Sequence, residues 1–448
     1  MFYYYTLSLV ILMISFILFR SASGEMSVQR LNIVSWAFYF NLLLPFIGIT
    51  LVMGGLPHYL VSRTTINSQY LAYLAYCYVL IMLPLTMVIA QKMLYGGNIK
   101  NKINVFFNSP LKVNVKMDES IYLQYWFILF IIATFGVMYT YYSLKEIPIL
   151  GVISGESYEN LRRYRIMAKR EFPGNEYIKN FSRTLALIVS FVVYVYYKLY
   201  NTKKLKYWFY ATMITAVSAI TYNIEKSPII RYFLILFFLK TFIEGRSNKK
   251  MLLIVFLTVT TVIVIMYFNT GNIYSIALNS GPIGRLLLTQ MAGLPLTFEV
   301  FPDKIQFLDG ASFPEWMSTS IFGVEHKASA RALMEYFNPK GVASGKSGVI
   351  STLFIAEAYA NFGKVGLVLA PIFVGLEIQF LHNYILSNYK TPSSVAIYGY
   401  FMIAFPLTSG IVGFVWNVGW MFIALIFILG FIISSSNLKF NTNNSVTT

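Results

Sequence analysis

Five basic residues crowd one short stretch of this chain: Arg162, Arg163, Arg165, Lys169 and Arg170. Guanidinium groups donate paired N–H groups and keep their charge, so the cluster suits phosphate or another anion. A second set, Arg285, Glu325, His326, Arg331 and Glu335, stands in a long polar segment, and Lys226 and Arg231 open an apolar run. Together these side chains are expected to converge on one cationic pocket. Taken singly, each also reads as a side chain that carries its charge out to water from a membrane interface. The third set lies in Ile355–Gly366, IAEAYANFGKVG, where Glu357 has Tyr359 and Asn361 close by. Such a carboxylate can act as a general base or, with Tyr359 and Asn361, bind the hydroxyls of a sugar. It equally suits a first helical turn, where the dipole favours negative charge. Phe362 and Gly363 are expected to shape a bend.

The elements that must position these residues are membrane helices. Of 448 residues, 57% are hydrophobic and 12% charged. Apolar stretches near the bilayer-crossing length, roughly 17–25 residues, lie at 3–19, 31–55, 70–90, 121–142, 182–200, 206–222, 228–244, 251–268, 364–382, 395–413 and 416–435. The expected fold is therefore an all-α polytopic membrane protein of about eleven transmembrane helices, one integral domain over 1–448. Two sizeable polar segments, 143–181 and 269–363, interrupt it. The first span reads as a helix that stays, because no positive residue precedes Phe2–Phe19 and Arg20 follows it.

Lys and Arg near the span ends set the orientation. They gather on one side, at Arg20, Arg30, Lys92, Lys100, Lys102, Lys112, Lys116, Lys198, Lys203, Lys204, Lys206, Lys240, Arg246, Lys249, Lys250, Lys390 and Lys439. The short loops of the other side hold Arg63, Lys226 and Arg231. The crowded side is thus cytoplasmic, the N-terminus is outside, the C-terminus is cytoplasmic and both polar segments are external. The net charge of +17 reads as a rim facing anionic headgroups rather than a nucleic-acid surface. A lone Cys77 and the absence of a Cys/His cluster argue against a disulfide or a metal site. No GxxxxGK[ST] run occurs, and GVASGKSG at Gly341–Gly348 lacks phosphate-loop spacing, so no cofactor is expected.

In the shorter external segment, Ser154 or Ser157 can cap a helix that Pro173 and Gly174 stop. Helical spacing puts Arg162, Arg165 and Lys169 on one stripe with Tyr158 and Leu161 nearby. That helix either rests on anionic headgroups or contacts substrate directly. The longer segment carries turn residues such as Gly281, Pro282, Pro295, Pro302 and Pro314 between short apolar runs. Polar connections beyond about 15 residues usually bind or gate something, so a folded, partly helical cap is expected, with short helices at Arg285–Leu296 and Ala328–Phe337. Glu377 and His382 read as the interfacial end of the ninth span.

Glu357-Ala-Tyr359-Ala-Asn361-Phe362-Gly363, followed by Gly366, resembles the ExYxNFGxxG stretch of Wzy-type polymerases of O-antigen and capsular polysaccharide. Glu225-Lys226-Ser227-Pro228 is similar to their basic entry to a middle span, and Arg163 with Gly174 matches an Arg-x10-Gly arrangement seen in some members. A second copy of that arrangement is absent, since Leu296 and Val342 stand where Arg285 and Arg331 would need glycine. The resemblance covers the whole span-and-loop plan. It implies a metal-independent glycosyltransferase of the bacterial cytoplasmic membrane, acting on undecaprenyl-pyrophosphate-linked oligosaccharides among membrane lipids, with a chain-length regulator as a partner. On this reading Arg163, Arg165, Arg285 and Lys226 hold the pyrophosphate, with Arg162, Lys169, Arg170, His326 and Arg331 as further ligands. Glu357 would be the acceptor base or a sugar ligand beside Tyr359 and Asn361. An O-antigen ligase shares this chemistry, and a lipid-linked oligosaccharide flippase is the rival of a different class.

Overall fold

The computed structural model describes residues 2–113, 116–250, 284–343, 353–405 and 407–444, with isolated positions elsewhere. The side chains of Tyr158, Arg170, Lys226 and Leu286, and those beyond Ser435, lie outside the described ones. Among the described residues the fold is all-helical, with no strand. In chain order the first helices are α1 (Phe2–Ser23), α2 (Ile33–Met53), α3 (Ile66–Ala90), α4 (Ile99–Asn108) and α5 (Glu119–Ser143). Then come α6 (Pro148–Ile153), α7 (Tyr158–Arg170), α8 (Glu176–Tyr200), α9 (Lys203–Thr221) and α10 (Lys226–Glu244). The later helices are α11 (Gly293–Val300), α12 (Glu315–Ser320), α13 (Ser329–Phe337), α14 (Pro339–Ala343), α15 (Phe354–Ser387), α16 (Pro392–Ala404), α17 (Val412–Val415) and α18 (Val418–Asn444).

Among the described residues, seven helical stretches are long and apolar enough to cross a bilayer: Phe2–Arg30, Ile33–Met53, Ile66–Tyr95, Glu119–Ser143, Glu176–Tyr200, Phe354–Ser387 and Val412–Ser435. Helices satisfy their backbone groups internally, which is what hydrocarbon demands. This is a multi-pass membrane protein. The expected spans 206–222 and 228–244 are the helices α9 and α10, while 251–268 falls outside the described residues. Within the expected span 395–413, the helix α16 ends at Ala404 and α17 begins at Val412. Hydropathy counts side chains and misses the backbone: Pro406 has no N–H to continue a helix, and Gly410 adopts φ +144°.

Side-chain caps set several helix starts. Asp118 accepts from the Ser120 and Ile121 amides, Asn175 from those of Tyr177 and Ile178, and Thr202 from that of Leu205. Each satisfies donors that the first turn leaves open.

The contacts group into two compact units: Met1–Asn104, Lys249–Ser387 and Ala404–Asn417 form one, and Val105–Asn248, Asn388–Ile403 and Val418–Thr448 the other. In the first, Ser8 joins Tyr73 and Thr50 at 2.9 Å, tying α1 to α3 and α2. The segment 284–343 folds on its own apolar cluster, in which Leu296, Val300, Phe301, Leu308, Ala332 and Leu333 pack with Ala360. The expected helix at Ala328–Phe337 is α13, whereas Arg285–Leu296 divides into a wide turn at Arg285–Thr289 and the start of α11. In the second unit, α8 is the central helix. A Cβ on Gly136 would come within 2.5 Å of Ser182 Cβ, so α5 meets α8 closely because a small residue allows it. Ser190 and Tyr232 hydrogen-bond at 2.6 Å between α8 and α10, and the Tyr141 hydroxyl donates to the Ser218 carbonyl at 2.9 Å.

Candidate functional site

The run from Glu357 to Gly366 forms a joint. The helix α15 leaves helical geometry at Phe362 (φ −127°, ψ 16°) and Gly363 (φ 57°, ψ −141°), then resumes. This is the bend expected there, and Gly363 supplies the positive φ that other residues resist. The break frees carbonyls: Ala360 accepts from the Leu308 amide at 2.9 Å and Asn361 from that of Asp309 at 3.1 Å. Asn361, wholly buried, accepts from the Ser312 amide at 3.2 Å and donates to the Glu357 carbonyl at 2.8 Å. The Tyr359 ring lies 4.6 Å from that of Phe298 and 5.5 Å from that of Phe307.

Glu357 is 9% exposed. Its Oε2 accepts from the Val412 amide at 3.0 Å, and its Oε1 from the Ser329 hydroxyl at 3.4 Å. A Cβ on Gly410 would come within 2.2 Å of Oε2, so the carboxylate and the Gly410 backbone approach as only glycine permits. The sequence offers Glu357 two roles, a base or sugar ligand with Tyr359 and Asn361 or a first-turn carboxylate, and the residue stands in the first turn of α15. The side chains of Glu357, Tyr359 and Asn361 bind neighbouring protein groups, and none of the three lines the cavity described next.

A cavity of about 630 Å³ opens in the same unit, lined by Phe307, Leu308, Ala311, Glu325, His326, Lys327, Ala328, Arg331 and Glu335. The volume is within the usual range for small-molecule sites, roughly 300–1,000 Å³. Lys327 Nζ lies 3.2 Å from one Glu335 oxygen and Arg331 Nε 3.1 Å from the other. Hydrogen bonds from Lys327 and then Arg331 outweigh desolvation and hold the Glu335 carboxyl below the usual carboxylate range. His326 Nδ1 lies 2.6 Å from the Phe313 carbonyl, which can only accept, so Nδ1 carries the proton and Nε2 is the accepting nitrogen. The joint supports these loops: Lys327 N donates to the Ala311 carbonyl at 2.8 Å, Ser329 N to Ser312 Oγ at 3.1 Å, and Phe362 packs 6.2 Å from Phe313. Cavity and joint are thus one device, with polar groups on the wall and the motif behind it.

Glu299, on α11, anchors the same segment to α3. Its carboxylate accepts from the Thr65 amide at 2.8 Å and from the Thr65 and Ser68 hydroxyls at 2.9 Å, and it pairs with Lys304. Burial opposes ionisation, but Lys304 and the Thr65 and Ser68 donors prevail and bring the carboxyl from 4.5 down to about 2. The folded value is the depressed one, so this stabilisation is present above pH 4.5 and lost as pH falls towards 2. With Lys304 partly in solvent, it is on the order of 2 kcal/mol. Glu299→Gln is therefore expected to lower the melting temperature at pH 7 and to flatten its fall between pH 5 and pH 3; a fall as steep as in the parent protein would contradict this.

The basic stretch falls in the second unit, as the helix α7. Ser157 is its cap, accepting from the Asn160 amide at 3.3 Å. Ala168 and Phe172 seat it on Leu144 and Tyr222, leaving Arg162, Arg163, Arg165 and Lys169 exposed. Lys169 pairs with Glu225 at 2.6 Å. Burial works against ionisation of Glu225, but Lys169, then Asn223 and Arg165, hold its carboxyl below the usual range. Two cations escaped the sequence reading. Lys179, 3% exposed, pairs with Glu176 at 2.6 Å and stands 4.4 Å over the Phe172 ring. Arg183, one turn further along α8, stands beside Tyr222 and within electrostatic range of Arg231, and both arginines act on Tyr400. The i, i+4 spacing of Lys179 and Arg183 at the start of an apolar helix was the available signal.

The structure thus brings His326 and Arg331 to one cavity and sets Arg162, Arg163, Arg165 and Lys169 on another helix, in the other unit. Arg285 stands exposed at the turn whose Leu287 carbonyl meets α2 at Gly48, and it does not line the cavity. Arg170 ends α7 and Lys226 starts α10. Among the described residues no group of three His, Cys, Asp or Glu side chains is arranged to hold a metal ion. Fold and site define an all-helical, multi-pass membrane protein with a polar cavity beside a bent membrane helix. Set against protein-family profiles, curated proteins and solved structures, the chain matches none.

Proposed function

We propose that the protein is a Wzy-type polymerase, which joins lipid-linked oligosaccharide repeat units outside the bacterial cytoplasmic membrane. The observation that carries this reading is the cavity of about 630 Å³ whose wall mixes Phe307 with Glu325, His326, Lys327, Arg331 and Glu335. An aromatic ring, ionised groups and a hydrogen-bonding imidazole are what a sugar ring with its hydroxyls needs. The ExYxNFGxxG stretch stands behind that wall, which gives the resemblance a structural role. On the polymerase reading the cavity segment and α7 are external, as the Lys and Arg asymmetry of the sequence implies.

The donor is the growing glycan on undecaprenyl pyrophosphate, and a hydroxyl of a second lipid-linked repeat attacks its anomeric carbon. Charge develops on the departing pyrophosphate, and fixed cations facing it lower the barrier. Arg163, Arg165, Arg183 and Arg231 are the assigned cations, with Lys169 and Lys179 kept in place by Glu225 and Glu176. Purified protein in lipid vesicles, given a lipid-linked repeat alone, is expected to produce a series of longer lipid-linked chains. Transfer of single repeats only to an added lipid A core would show a ligase, and passage of the repeat across the bilayer without lengthening would show a flippase.

A further inference from the structure

We infer that His326 is the base that takes the proton from the attacking hydroxyl, and that Glu357, Asn361 and Phe362 are positioning residues acting through it; this rests on the polymerase reading. His326 lines the cavity. Its Nδ1–H donates to the Phe313 carbonyl at 2.6 Å, which fixes ring orientation and tautomer and leaves Nε2 to accept a proton. A base must reach the proton it removes, and Glu357 does not: it is 9% exposed, with both oxygens held by Val412 and Ser329.

The motif holds the His326 clamp from behind. Asn361 accepts from the Ser312 amide, fixing the residue before Phe313. The Phe362 ring packs against Phe313 and Phe322 at 6.2 Å and 5.9 Å. Glu357 binds Ser329, whose amide donates to Ser312 Oγ, and the Lys327 amide donates to the Ala311 carbonyl. The loops 311–313 and 327–329 are thus tied on both sides of the Nδ1 hydrogen bond. The charged groups sharing the cavity with the imidazole are Glu325, Lys327, Arg331 and Glu335, the last three joined in ion pairs.

In the transfer, the hydroxyl oxygen bonds to the anomeric carbon as its proton passes to Nε2. The bond from that carbon to the pyrophosphate oxygen breaks, and its electron pair leaves on the pyrophosphate. Nε2 then returns the proton to water, leaving imidazole, a lengthened glycan and a free lipid pyrophosphate.

The test uses full-length protein in vesicles with a lipid-linked repeat, comparing the parent with His326→Gln and His326→Gly. Removing a general base is expected to lower kcat roughly 10²- to 10⁴-fold while KM for the lipid-linked donor stays within about threefold. Added imidazole is expected to restore His326→Gly, with rates that follow the basicity of substituted imidazoles, a response that loss of structure alone would not give. Retention of more than about a third of kcat by His326→Gln, or a His326→Gly protein that no imidazole revives, would overturn the assignment. A parent protein that lengthens no lipid-linked repeat would instead overturn the polymerase reading, and this one with it.

Discussion

Glu357→Ala is expected to cost the protein both stability and polymer, whereas Glu357→Gln is expected to spare most of each. The alanine variant leaves the Val412 amide and the Ser329 hydroxyl without their acceptor, and a void where the carboxylate stood. A buried polar group left unsatisfied costs about 1–3 kcal/mol, and the void adds to it. The total is about 3–5 kcal/mol, within the range reserved for broken buried networks. Melting should therefore fall by several degrees, and surface polymer should disappear because the loops carrying Phe313 and His326 lose their tie. Glutamine keeps an acceptor for the Val412 amide and can donate to the Ser329 oxygen. A Glu357→Gln protein as stable as the parent but inactive would contradict this reading and show that the carboxylate itself takes part in the chemistry.

The second large effect concerns the cations of the other unit. Replacing Arg183 and Arg231 together by methionine is expected to weaken donor use more than replacing Arg163 and Arg165 by alanine. Arg163, Arg165 and Arg231 are exposed, where water and salt screen a charge, while Arg183 is half-buried within α8 and carries the difference. Hydrogen bonds to charged groups are worth about 1.5–3 kcal/mol, so losing Arg183 with Arg231 should raise KM for the lipid-linked donor roughly 10- to 100-fold. The Arg163 and Arg165 pair should show the stronger dependence on ionic strength. Equal effects, or full polymer from the Arg183/Arg231 double variant, would remove both residues from the assignment.

Much of the helix pattern was readable before the fold was seen, because long apolar runs and capping residues are local signals. Ser157 was one of two candidate caps for α7, and the bend at Phe362–Gly363 followed from the residues themselves. The end of α16 at Ala404 is not legible in hydropathy, which averages over a proline at 406 and the glycine at 410, whose φ is +144°. Arg183 was hidden in a similar way, counted as the edge of a span rather than as chemistry.

The chemical residues were legible as types and less so as partners. Arg331 and His326 were expected to share one cationic pocket with Arg285, Lys226, Arg231 and the 162–170 cluster; those two line the cavity, while Arg285 does not and the cluster belongs to the other unit. Nothing local shows that Glu357 meets Gly410 and Val412, or that Phe313 holds His326, since those contacts arise only when distant segments pack. Glu357 therefore reads locally as a base, a sugar ligand or a first-turn carboxylate, and its burial comes from the tertiary fold.

The most direct measurement is to delete the gene in its native host and resolve the surface glycan by length on a gel. The polymerase account expects the long ladder to vanish while a single repeat remains on its surface carrier, with the ladder restored by the parent gene. An unchanged ladder would contradict the account, as would loss of all surface glycan with long chains still held on undecaprenol.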